Sequence, residues 1–315
     1  MPASRVDLRA LLDELQAAEA AGAEALGHWL SVCEDPKLRG GLRVIRARDR
    51  AHSKLARDRL TALGGTSARE APRQIQSLCG VLAAAEVSNR SKLTILLARF
   101  PVRAEDPLPE SVRQLDDDET RALLETMHED DRASVRWLRE VSEGSAAAGA
   151  VGAVRPATAS FLDAFRAAEE AGAEVLAAWR AVCGLPGLRG GLDTIAERER
   201  THAELLAARL TELGVPLRAR VDDAVVRAAR ERFGAAEVGD DDKLAFLASR
   251  HPDDEVVVAP LRETIESLGD DPETAEMLRL IAAGEIATFA WLRSYGGAVT
   301  PRSGGVSLRV LDGGR

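Results

Sequence analysis

The chain is written twice. Residues Ala17 to Leu26 read AAEAAGAEAL, and Ala167 to Leu176 read AAEEAGAEVL, 150 positions on. The same offset relates Trp29 to Trp179, Cys33 to Cys183, the LRGGL at Leu38 to that at Leu188, His52 to His202, and TALG at Thr61 to TELG at Thr211. It then drifts. AAEV recurs at Ala84 and Ala235, 151 apart, and Trp137-Leu138-Arg139 matches Trp291-Leu292-Arg293, 154 apart. Drift of this kind marks small loop insertions between helices. A period near 150 is the size of a domain, well above the roughly 20–50 residues of a solenoid repeat. The 315 residues therefore read as two related units in tandem.

Composition then selects the class of structure. Aromatic residues are 3% of the chain, with one Tyr, and β-branched runs are scarce. Ala, Leu and Val must build the core, which points to an all-α protein. Lys+Arg total 42 and Asp+Glu 51, a net charge of −9 that disfavours nucleic acid as a partner. No run of about 18 apolar residues is present, so no membrane span is expected. The first residues lead straight into a helical pattern without an apolar signal core. Three Cys without a C-x-x-C support neither a disulfide framework nor a structural zinc site, and a reducing cytoplasm is the expected location.

Glu143 to Ser160 is small, uncharged and flexible in character, with Pro156 as a breaker. The expected divisions are a first unit over 1–143, a linker over 144–159, a second unit over 160–296 and a tail over 297–315. Val306 to Leu311 is the one stretch of the tail that reads as a short strand. Each unit reads as four main helices plus shorter pieces. The first helix spans about 6–33 and 160–183. The second starts at Asp35-Pro36, a cap followed by a first-turn proline, and stops near Gly64; its twin covers 186–214. Two shorter helices are expected near 73–87 and 91–99, and the last helix over about 119–141 and 272–295. Gly40-Gly41 and Gly190-Gly191 fall inside the second helices, where each glycine costs about 1 kcal/mol against Ala. Close helix approach and room for a ligand are the two reasons such a pair can have. Arg39, Arg43, Arg46, Arg50 and Arg57 form a basic stripe that reads as a solvated face, or else a dock for an acidic partner.

The apolar stripes contain acids. Leu162, Phe165, Glu169, Gly172, Leu176, Trp179 and Cys183 follow helical spacing, with Glu169 in the middle. Leu192, Ile195, Glu199, His202, Leu206 and Leu210 do the same, and so do Leu278, Ile281, Glu285, Thr288 and Leu292. The first unit places Glu19, then Asp49 with His52, then Asp131 with Ser134 in the matching stripes. Three acids and one His thus point inward in each copy. A buried unpaired carboxylate costs several kcal/mol or takes a proton. A hard divalent cation would resolve that conflict. In Asp49-x-x-His52 and Glu199-x-x-His202 the carboxylate and imidazole share one helix face. Glu24 and Glu174 are rival first-helix acids on the solvent side.

With these motifs the chain resembles the ferritin-like superfamily, the bacterioferritin- and rubrerythrin-type di-iron carboxylate bundles. That family uses a Glu from one helix and Glu-x-x-His from the next, repeated by a second helix pair. Here Glu169 matches the first Glu, Glu199-x-x-His202 the first paired motif, and Glu285-x-x-Thr288 the second with Thr for His. The first unit offers Glu19, Asp49-x-x-His52 and Asp131-x-x-Ser134. The resemblance implies two tandem ferritin-like four-helix bundles and iron or manganese at these eight residues, for oxygen or peroxide chemistry. The third helix of each unit supplies no inward acid, and the second His is absent in both. If the two first hairpins faced each other, Glu19, Asp49, His52, Glu169, Glu199 and His202 would instead form one shared site. The residues equally allow a metal-free helical scaffold or partner-binding module, its buried acids kept as a hydrogen-bonded layer. Partners then reduce to a second copy of the chain or another protein, with nucleic acid and membrane set aside.

Overall fold

The computed structural model describes residues 7–71, 73–99, 107–144, 155–250 and 253–298. Among them every regular element is a helix. The first repeat holds α1 (Leu8–Val32), α2 (Pro36–Ala62), α3 (Arg73–Ala83), α4 (Asn89–Arg99), α5 (Glu110–Arg113) and α6 (Asp118–Glu143). The second holds α7 (Pro156–Val182), α8 (Pro186–Glu212), α9 (Asp223–Phe233), α10 (Asp240–Arg250), α11 (Asp254–Ser267) and α12 (Pro272–Ala298). No described helix is long and apolar enough to cross a membrane.

The starts and stops have local causes. Asp35 accepts from the backbone N–H of Lys37 and Leu38 at 3.0 and 3.2 Å, satisfying two of the free donors at the start of α2. Gly64 and Gly214 follow the ends of α2 and α8 with φ of 73° and 70°. Pro156 departs from expectation. It opens α7 instead of breaking the chain, because a first-turn proline lacks an N–H that would be unpaired anyway. The linker expected over 144–159 therefore gives up 156–159 to α7, and 145–154 lie outside the described residues. α12 likewise runs through Gly296-Gly297 to Ala298, past the expected start of the tail, whose remainder lies outside the described residues, the strand expected at 306–311 included.

Two hairpins, α1–α2 and α7–α8, pack with α2 and α8 against each other. These two run antiparallel: Arg43 meets Glu212 at 2.8 Å and Lys54 meets Glu197 at 3.2 Å. α6 lies on α8 as well as α2, and α12 on α2 as well as α8. The repeats therefore do not close as separate bundles: α2, α6, α8 and α12 share one interior. Leu38, Leu42 and Ile45 of α2 belong to one apolar cluster with Met277, Leu278 and Ile281 of α12.

The glycine pairs make this crossing work. A Cβ on Gly40 would collide with the carbonyl oxygen of Glu273 in α12, and one on Gly190 with that of Glu119 in α6. A Cβ on Gly41 would strike the Trp137 ring, and one on Gly191 the Trp291 ring. Each first glycine admits the other repeat's last helix and each second glycine seats its own repeat's Trp. Close approach, not ligand space, is their use. Part of the basic stripe serves the same contact, since Arg39 and Arg43 reach Glu273 at 3.4 and 2.6 Å, while Arg46, Arg50 and Arg57 are exposed.

Candidate metal centres

Six of the eight singled-out residues gather into two groups of three, each within one repeat. In the first, single ligand atoms of Glu19 (α1), His52 (α2) and Asp131 (α6) lie within 4.8 Å of one another. Glu169 (α7), His202 (α8) and Glu285 (α12) do the same in the second. These are the two such groups among the described residues, so the shared inter-repeat site is not what forms. His52 Nδ1 stands 3.9 Å from Glu19 Oε2 and 3.5 Å from Asp131 Oδ1. His202 Nδ1 is tighter, 3.2 Å from Glu169 Oε2 and 3.1 Å from Glu285 Oε1.

Asp49 and Glu199, one turn before the His, stand outside the 4.8 Å limit of each group but close enough for their charges to couple with it. A Cβ on Gly22 would come within 2.7 Å of Asp49 Oδ2, and one on Gly172 would overlap Glu199 Oε2. The glycine on the facing helix lets these carboxylates lie where they do; a methyl group there would make each one shift. The two centres differ in wetness. The Asp131 side chain is 37% exposed, whereas Glu285 is 9% and Glu169 4% exposed. Glu24 and Glu174 are both solvent-exposed, paired with His28 and Arg230.

Crowding acids in a dry place favours their neutral form. Burial, then Asp131 and Asp49, push Glu19 well above the usual carboxylate range. Burial and Asp131 push Asp49 up to about 7, against the pull of His52 and Arg48. Asp131 is raised by its partial burial and by the charge of Asp130, against the pull of His52. In the second repeat, burial and Glu285 raise Glu169 well above its ordinary value, and burial, Glu169 and Glu285 do the same to Glu199. Two buried atoms aimed into these groups lack a hydrogen-bond partner: His52 Nδ1 and Glu285 Oε1. Both residues are more than nine-tenths buried.

Sequence reasoning missed the charges behind the ligands. Asp130 is buried between two buried arginines, 3.7 Å from Arg48 and 3.0 Å from Arg198 of the other repeat. Its Oδ2 also lies 3.4 Å from His52 Nε2. Burial would raise Asp130, but Arg198, Arg48 and His52 hold it well below the usual range. A carboxylate on the far nitrogen of a His fixes the ring and leaves Nδ1 free for a cation. The second repeat has no equivalent: at the offset of 154, Gly284 stands at the Asp130 position, and His202 Nε2 has no partner. Ser134 and Thr288, three residues after Asp131 and Glu285, accept from the buried guanidinium groups: Arg48 to Ser134 Oγ at 3.2 Å, Arg198 to Thr288 Oγ1 at 2.5 Å. The signal for this layer was present, since Arg48 and Arg198 each precede the acid of the paired motif.

The thiols stand apart from this chemistry. Cys33 and Cys183 are buried core residues, and burial pushes the Cys183 thiol up to about 11. A scan against protein-family models finds no match, and neither the curated proteins nor the solved structures provide one.

Proposed function

We propose that the chain is a tandemly duplicated ferritin-like protein whose repeats each hold one divalent iron or manganese ion. The ligands are Glu19, Asp49, His52 and Asp131 in one repeat and Glu169, Glu199, His202 and Glu285 in the other. One observation carries the reading. Around His52 Nδ1 and Glu285 Oε1, buried atoms that make no hydrogen bond although opposite charges stand 3.5 and 3.1 Å away, carboxyl groups crowd closely enough to be driven toward protonation. A hard cation would replace those protons, and an oxygen-rich set with one imidazole suits Fe(II) or Mn(II). Arg48 and Arg198, bonded to Ser134 and Thr288, set a fixed positive charge beside each group, which favours one ion per repeat over a pair. A redox-active ion with an open coordination position supplies oxygen or peroxide chemistry when bound. The chain's own part is to hold that ion among buried and half-buried carboxyls, with Asp130 orienting the His52 ring.

The direct pairing of His202 with Glu169 favours a second reading, a metal-free scaffold with a hydrogen-bonded acidic layer. One experiment separates the two. Purified chain is given Fe(II) or Mn(II) without oxygen, and bound metal is counted by elemental mass spectrometry. The metal reading expects about two ions per chain, falling to about one in the Glu199→Ala/His202→Ala variant. Metal no higher in the native chain than in a variant also lacking Glu19 and His52 would leave the scaffold.

A further inference from the structure

The second centre has an apolar approach that ends on its own ligand. A pocket of about 250 Å³ lies between α7, α9 and α12. Val226, Ala229 and Phe233 of α9 form one wall and Leu292 of α12 another. The only polar side chains lining it are Glu199 and Thr288. Val225, one of the few large apolar residues exposed anywhere on the described surface, stands at the same pocket, 59% exposed.

The duplication explains why the space exists. At the offset of 151 that aligns the two AAEV segments, Phe233 corresponds to Leu82 and Ala229 to Leu78. Phe233 and Leu82 are both buried, at 4% and 0% exposure, so the register holds. Leu78 is buried in the first repeat's core with Leu26 and Trp29. Its counterpart Ala229 lacks that bulk, and the second repeat has a pocket there.

We propose that this pocket binds a small, uncharged, largely apolar organic molecule and presents its one hydrogen-bonding group to Glu199 and Thr288. The proposal rests on the metal reading of the second centre and makes that centre, not the first, the one that receives a substrate. Size follows from volume: about 150 Å³ admits a benzene ring and about 300 Å³ begins the range of drug-sized sites. One ring or a short chain fits between. Charge follows from the lining. No cationic side chain faces the pocket to pair with an anion, and Glu199, the one acid in the lining, has its charge taken up by the ion on the metal reading.

The test is titration of the full chain, metal-free and Mn(II)-loaded, with benzyl alcohol, followed by saturation-transfer NMR. Saturable binding is expected in both forms, with broadened ligand resonances when Mn(II) is present. Ala229→Leu restores the first repeat's residue and should weaken binding roughly tenfold or more without changing metal content. Val225→Trp, which starts from an exposed rim position, closes the same pocket without entering the core and should do likewise. To the Mn(II)-loaded chain, benzoate and benzylamine should bind at least roughly tenfold more weakly than benzyl alcohol. Equal binding in the native chain and both variants, benzoate as good as benzyl alcohol, or no saturable binding would overturn the pocket. Normal metal content without benzyl alcohol binding overturns the pocket alone. Variant-sensitive binding without metal overturns the metal centre and leaves the pocket standing.

Discussion

Asp130 is the side chain on which both repeats depend: two buried guanidinium groups and one imidazole share its single charge. Around it the clustered carboxyls behave in the opposite sense, and the two behaviours give the protein a pH signature. Asp49 is held up to about 7, and Glu19, Glu169 and Glu199 well above the ordinary range. The unfolded chain releases those protons near pH 4. From there to neutrality the folded state binds more protons than the unfolded one, so stability falls as pH rises. His52, raised once the Asp130, Asp131 and Asp49 carboxylates outweigh its burial, adds a loss in the same direction as pH climbs through its folded value. Asp130, held low, contributes stability that is present above about pH 4 and lost only in stronger acid. The metal-free protein is expected to melt at lower temperature at about pH 8 than at about pH 5.5, and Mn(II) to reverse the order by displacing the protons. Thermal unfolding with and without chelator checks this; an unchanged order would count against the crowded carboxyls. The ligand positions were legible because each acid interrupts an apolar stripe. Asp130 was not, because it sits one position beside the stripe and its partner Arg198 comes from the other repeat.

Helices α2 and α8 carry the fold's least expected instruction, a glycine pair where helix propensity argues for alanine. Gly40→Ala and Gly190→Ala should each gain about 1 kcal/mol if propensity governs. The carbonyls of Glu273 and Glu119 stand where the new methyl would go, so overpacking of about 1–3 kcal/mol should prevail and both variants should be less stable. Urea unfolding of the two variants decides the sign. Which segments are helical was readable, since Asp35-Pro36 marks a start and the apolar spacing marks the length. What each helix packs against was not: periodicity shows which face is buried but not what covers it. α11 escaped notice because Pro260 interrupts its pattern, although Val258 and Leu261 are buried beside it.

Crossed last helices make the two repeats one cooperative body. Each alone would expose the face on which the other's last helix lies. Insertion of a protease site between residues 145 and 154, followed by cleavage, is expected to leave two fragments that elute together and unfold in a single transition. Fragments that separate on gel filtration would show instead that each repeat closes on itself. The duplication, obvious as a sequence pattern, thus gave the number of units but not their interleaving. Asp130 shows what a covalent connection between the halves makes available. In a symmetric dimer every substitution arrives twice, so a position on the shared interior must carry either two aspartates or two glycines. Two aspartates would set four acidic oxygens against the same two arginines, and two glycines would leave those arginines without a counter-charge. One aspartate facing one glycine, Asp130 opposite Gly284, is a combination open only to halves that have ceased to be copies. The fused chain therefore gives one half's imidazole a carboxylate behind it and leaves the other half's far nitrogen without a hydrogen bond.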